Sequence, residues 1–70
     1  MNIKKEIMLL QKSLNTMTEK FDARVEKYDN ASEKWQESEK GEKFQEQTES
    51  LENLKDELEA LIGEFEEIND

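Results

Sequence analysis

The chemically active side chains of this 70-residue chain are nineteen carboxylates and ten Lys/Arg, with no His and no Cys. Nucleophilic catalysis would have to run through Ser13, Ser32, Ser38 or Ser50 activated by a lysine, and no motif places a base or an oxyanion hole beside any of them. These serines read as helix caps and helix-surface residues. Carboxylate pairs abound, yet general acid/base work needs burial to separate two pKa values, and these residues fall mostly at polar positions of a helical repeat. They read as a solvated face. Glu64, Glu66, Glu67 and Asp70 form an acidic cluster, but calcium takes roughly six to eight oxygens from a turning loop, which a straight helix spreads apart. Without Cys and His, disulfides are impossible and zinc or haem loses its usual ligands. The expectation is a non-enzymatic chain with no catalytic residue, no metal and no cofactor.

The elements that carry these side chains are declared by two apolar stripes. Ile3, Ile7, Leu10, Leu14, Met17 and Phe21, followed by Val25 and Tyr28, make the first; Phe44, Leu51, Leu54, Leu58, Leu61, Phe65 and Ile68 make the second. Steps of three and four residues put each set along one side of a helix, where it must be buried against another helix. In heptad terms Ile7, Leu14, Phe21 and Tyr28 take a positions and Ile3, Leu10 and Met17 take d, until Arg24 interrupts the register. The second register sets Phe44, Leu51, Leu58 and Phe65 at a and Leu54, Leu61 and Ile68 at d, with Gln47 its one polar d residue and Ile62 widening the stripe.

These patterns predict an all-α fold, an antiparallel two-helix hairpin with helices over about 2–29 and 31–68. Asp29-Asn30 marks the break, and Asn30 with Glu33 has the spacing of a capping box. Gly41 after Lys40 has the form of a helix-end signal and leaves a turn near it as the alternative to 29–31; a bend within one second helix is the preferred reading, because Glu42, Lys43 and Phe44 offer no good cap for a new one. Helices of these lengths, roughly 40 Å and 57 Å, would leave Leu58, Leu61, Ile62, Phe65 and Ile68 overhanging. A single hairpin of this size has little core of its own. The expected remedy is a homodimer forming a four-helix bundle, with both stripes as the self-association set.

The net charge of −9 is uneven: residues 1–35 carry seven Lys/Arg against six Asp/Glu, and residues 36–70 three against thirteen. The antiparallel arrangement brings Lys4, Lys5 and Lys12 towards Glu57, Glu64, Glu66 and Glu67. So acidic a second half repels nucleic acid and anionic lipid and attracts a basic protein. The start MNIKKEIMLL has too short an apolar run for a signal peptide, and no stretch approaches the roughly 20 apolar residues of a membrane span. A cytoplasmic protein is expected.

Three features mark a partner surface. Met8 and Leu9 make the first helix apolar nearly all round; Trp35 stands alone in a polar stretch beside the small residues Ala31, Ser38 and Gly41; and Glu37, Glu39, Glu42, Glu46, Glu49, Glu52, Asp56, Glu59 and Glu66 form an acidic face. Trp35 could pack on Tyr28 or Phe21 or serve as an exposed anchor for a partner. The candidates for partner contact are Trp35, Glu39, Glu42, Glu46 and Glu49. Two functions compete: a protein-binding and oligomerisation module, and an inhibitor whose carboxylate rows mimic nucleic acid on the phosphate-binding surface of a DNA- or RNA-binding protein. A ligand carrier with a pocket between subunits ranks below both, since no basic or Gly-rich anion site is present.

The stretch Tyr28-Asp29-Asn30-Ala31-Ser32-Glu33-Lys34-Trp35-Gln36-Glu37-Ser38-Glu39-Lys40-Gly41-Glu42-Lys43-Phe44-Gln45 resembles a segment of small uncharacterised helical proteins of phage and prophage genomes. The resemblance implies a phage or mobile-element accessory role in the host cytoplasm, binding or inhibiting a host protein.

Overall fold

The computed structural model describes residues 1–70 as three helices: α1 over Lys4–Asn30, a single-turn α2 over Glu33–Gln36, and α3 over Glu39–Ile68. α1 and α3 pack antiparallel into a rod of 53 × 15 × 12 Å. The direction is set by contacts at both ends. Near the turn, Arg24 Nε donates to Thr48 Oγ1 at 2.9 Å; at the open end, the Ile3 amide donates to Asn69 Oδ1 at 2.8 Å and the Asp70 amide to the Met1 carbonyl at 3.0 Å.

Two expectations from the pattern are corrected here. The second helix is not continuous from residue 31, because Glu37 and Ser38 separate α2 from α3, and Gly41 lies in the first turn of α3 instead of at a bend. The short sequence Ser-Glu-Lys occurs twice, at 32–34 and 38–40, and each serine caps a helix. Ser32 Oγ accepts from the Trp35 amide at 3.2 Å, and Ser38 Oγ accepts from the Gly41 amide at 3.1 Å. Asn30, read as a cap, is the last residue of α1; the Gln36 side chain instead covers that helix end, donating to the Tyr28 carbonyl at 2.7 Å. Ser38→Ala should therefore lower stability by about 1 kcal/mol, measured as a shift of the urea midpoint with an unchanged slope.

The second correction follows from the first. With α2 consuming part of the chain, arms of 27 and 30 residues finish level, so Leu58, Leu61, Ile62, Phe65 and Ile68 do not overhang. Ile62 is in fact buried against α1. The charges suit this closure: Lys4 and Lys5 lie at the positive end of α1 and Glu64, Glu66 and Glu67 at the negative end of α3, each unfavourable in its own helix. Antiparallel packing sets each group beside the opposite dipole end of its neighbour. No α1 lysine forms a contact ion pair with α3; the pairs within 4.0 Å are the Met1 amino group with Asp70 (2.6 Å) and Lys55 with Asp56 (3.6 Å).

The core is thin. Four of 70 residues are buried, and of these only Ile7 and Ile62 are large apolar side chains. Around them Leu10, Leu14, Met17 and Phe21 of α1 meet Leu51 and Leu58 of α3, all half-buried. At the turn end Trp35 packs edge-on against Tyr28 (centroids 6.2 Å) and Phe44 (5.5 Å), one of the packings expected of it.

A candidate interaction face

Arg24, which breaks the first heptad register, decides which side of α3 faces inward. Its Nε donates to Thr48 Oγ1, its Nη2 donates to the Phe44 carbonyl at 3.0 Å and to Gln47 Oε1 at 3.4 Å, and its guanidinium lies 3.9 Å from the Phe44 ring centroid. Thr48 is buried and itself donates to the Phe44 carbonyl at 3.0 Å. Thr48→Val keeps the shape but removes the acceptor for Arg24 Nε. A loss of about 1 kcal/mol is expected, read from the urea midpoint at fixed protein concentration.

Holding Thr48 inward rotates α3 so that a and e positions meet α1. The inward residues are Phe44, Thr48, Leu51, Lys55, Leu58 and Ile62, at steps of four and three. Lys55 lies along this seam with its Nζ 5.9 Å from the Phe21 ring. The d positions are consequently turned out: Leu54, Leu61 and Ile68 are 60%, 47% and 51% exposed, and Phe65 beside them is 39% exposed. Of the twelve residues predicted to drive self-association, eight thus serve the interior of the hairpin: Ile3, Ile7, Leu10, Leu14, Met17, Phe21, Leu51 and Leu58. The other four form an uncovered stripe.

That stripe belongs to one side of the hairpin. At 100° per residue, Leu54, Leu61, Phe65 and Ile68 fall on the side of the seam marked by the Arg24–Gln47 bond, as do Lys40 and Lys43. From α1 the same side receives Leu9, Ser13, Thr16 and Lys20, which line one shallow depression with Met17, and also Lys27. Glu6 is the one carboxylate well within this side, with Glu39 and Glu57 at its outer edge. The opposite side, marked by the bond from Gln11 Nε2 to Glu66 Oε1 at 2.9 Å, carries Asp22, Asp29, Glu52, Asp56, Glu59 and Glu66 against Lys4.

The charge asymmetry read along the chain is therefore an asymmetry across the folded rod. Glu39, Glu42, Glu46 and Glu49 run along the outer surface of α3, exposed, and none has a Lys or Arg nitrogen within 4.0 Å. Trp35 is half-buried in the aromatic cluster at the turn and lines a shallow depression with Glu39, the first residue of the glutamate row, while Glu42, Glu46 and Glu49 follow farther along α3. The sequence reading did not find the lysine-bearing side, because its members come from two helices and only the rotation of α3 aligns them. Arg24 was the available signal, a cation at a core position that requires acceptors opposite it. Comparison of the chain with protein-family models, with curated proteins and with solved structures finds no match.

Proposed function

We propose that this chain is a non-enzymatic helical interaction module, a hairpin that doubles into a dimeric four-helix bundle and engages another protein through its helix faces. The observation that carries the reading is the uncovered stripe Leu54, Leu61, Phe65 and Ile68 on a hairpin with almost no interior. A single core in so short a chain contributes at most about 3–5 kcal/mol. The accessible surface is 5663 Å², where a compact chain of 8.3 kDa exposes about 4,600 Å². A second hairpin laid on the stripe removes apolar surface of the kind that small helical proteins bury by association.

The phage and prophage resemblance of residues 28–45 supports an accessory protein that acts by binding or inhibiting a host protein in the cytoplasm. The second reading, an inhibitor that mimics nucleic acid, is favoured by the unpaired row of Glu39, Glu42, Glu46 and Glu49. The two differ in salt response. A mimic loses its partner as salt rises and on reversing the charge of Glu42, Glu46 and Glu49; a partner held through apolar contacts survives both and fails on Trp35→Ala. Sedimentation velocity over a wide concentration range tests the assembly itself. A concentration-dependent rise from monomer to dimer is expected, and a monomer at every concentration overturns the proposal.

A further inference from the structure

Resting on the self-association proposed above, we infer that the second copy lies antiparallel to the first, on the lysine-bearing apolar side, with the two-fold axis crossing α3 between Leu54 and Leu61. The choice of a second copy as occupant follows from charge. A chain of net charge −9 repels itself over most of its surface, and this side, with Glu6 at its centre and Glu39 and Glu57 only at its edge, is where two copies approach with the fewest opposing carboxylates. The long face, 53 by 15 Å in extent, gives a second copy room to lie lengthwise along the rod.

The orientation follows from how that side is divided along the rod. Leu9, Leu61, Phe65 and Ile68 occupy the half near the chain ends, and Lys27, Lys40 and Lys43 occupy the half near the turn, with Lys20 between. A parallel pair would set the lysines of one copy against the same lysines of the other. Antiparallel packing keeps them apart and turns each lysine half towards the chain ends of its partner, where Glu64, Glu67 and Asp70 lie outside the contact, around its rim. With the axis between Leu54 and Leu61, these leucines of both copies form the centre of the interface, and the lysine stems extend over its rim. The contact is isologous and closes at two copies, so it does not propagate into a filament.

The chain contains no Cys, so single nitroxide labels can be placed through Ala60→Cys and Lys34→Cys, both at exposed positions. Pulsed dipolar spectroscopy of the dimer should give a short distance at residue 60, below about 35 Å, and a long one at residue 34, beyond about 45 Å, at 1.5 Å rise per residue. A short distance at both sites overturns the orientation while leaving the dimer standing. A monomer in sedimentation overturns the dimer as well, and assigns the face to a different protein. A charge-reversal pair supplies an independent sign: Lys20→Glu with Lys43→Glu brings carboxylates onto the partner's acidic end in the antiparallel form, and the dimer should weaken about tenfold or more. In a parallel dimer the same substitutions relieve lysine repulsion or replace it by an equivalent one, so tighter or unchanged association counts against the inference.

Discussion

Gly41→Ala is expected to destabilise the hairpin by about 2–3 kcal/mol, while Gly63→Ala stabilises it by about 1 kcal/mol. The two glycines sit in the same helix and differ only in what lies around them. A Cβ built on Gly41 meets the carbonyl oxygen of Trp35, and approaches the Gln36 carbonyl oxygen at 2.8 Å and the Gln36 Cα at 2.9 Å. All three are backbone atoms, so no side-chain rotation makes room. The last turn of α2 must lift away from α3, which strains the Ser38 cap and separates Trp35 from Phe44. Nothing lies within 4 Å of a Cβ on Gly63, so alanine there reduces the freedom of the unfolded chain at no steric cost. Urea unfolding followed by far-ultraviolet circular dichroism and by Trp35 fluorescence, at one protein concentration, measures both. Effects of the same sign at the two sites would refute the close packing of α2 on Gly41.

In the proposed dimer, Leu61→Asp is expected to weaken association by about a hundredfold or more, because a two-fold assembly buries the unpaired charge twice. Within one hairpin Leu61 is 47% exposed, so the aspartate side chain reaches water and the direct cost to the monomer is small. The contrast is Leu58→Asp, which places a carboxylate in the half-buried seam against α1 and should unfold the hairpin outright. Because Ile7 and Ile62 are the only large apolar side chains fully inside a single hairpin, dissociation should carry a partial loss of helical signal. Sedimentation equilibrium and thermal melting at several concentrations check this together. If Leu61→Asp sediments and melts as the unaltered chain does, the stripe is not an assembly surface.

Much of the fold was legible in the pattern of residues. The helical character, the two stripes and the break after Asp29-Asn30 follow from local spacing, because side chains three and four residues apart share a helix face whatever the rest of the chain does. The second break escaped detection because Gly41 looks like a helix end or a bend when read alone. Its use as the place where another segment's backbone comes close is a long-range fact. Ser38 was seen as a cap in general, yet only the packed turn shows which helix it starts. Of the candidate interaction residues, the glutamate row from Glu39 to Glu49 was placed on one helix face and lies exposed on one.

What this sequence determined by itself is an inventory and a periodicity: no His or Cys, an excess of carboxylates in the second half, and apolar residues at heptad spacing in two arms. Tertiary structure decided the rotation of α3 about its own axis. Arg24 needs oxygen acceptors and finds them on Thr48 and Phe44, which turns the e positions inward and leaves Leu54, Leu61 and Ile68 facing out. A stripe three positions wide cannot be covered by one neighbouring helix, and which part stays uncovered depends on the partner across the seam. Periodicity along a chain specifies the face of each helix. It does not specify the angle at which two faces meet, and that angle separates the acidic side of this rod from the side that carries lysine and leucine.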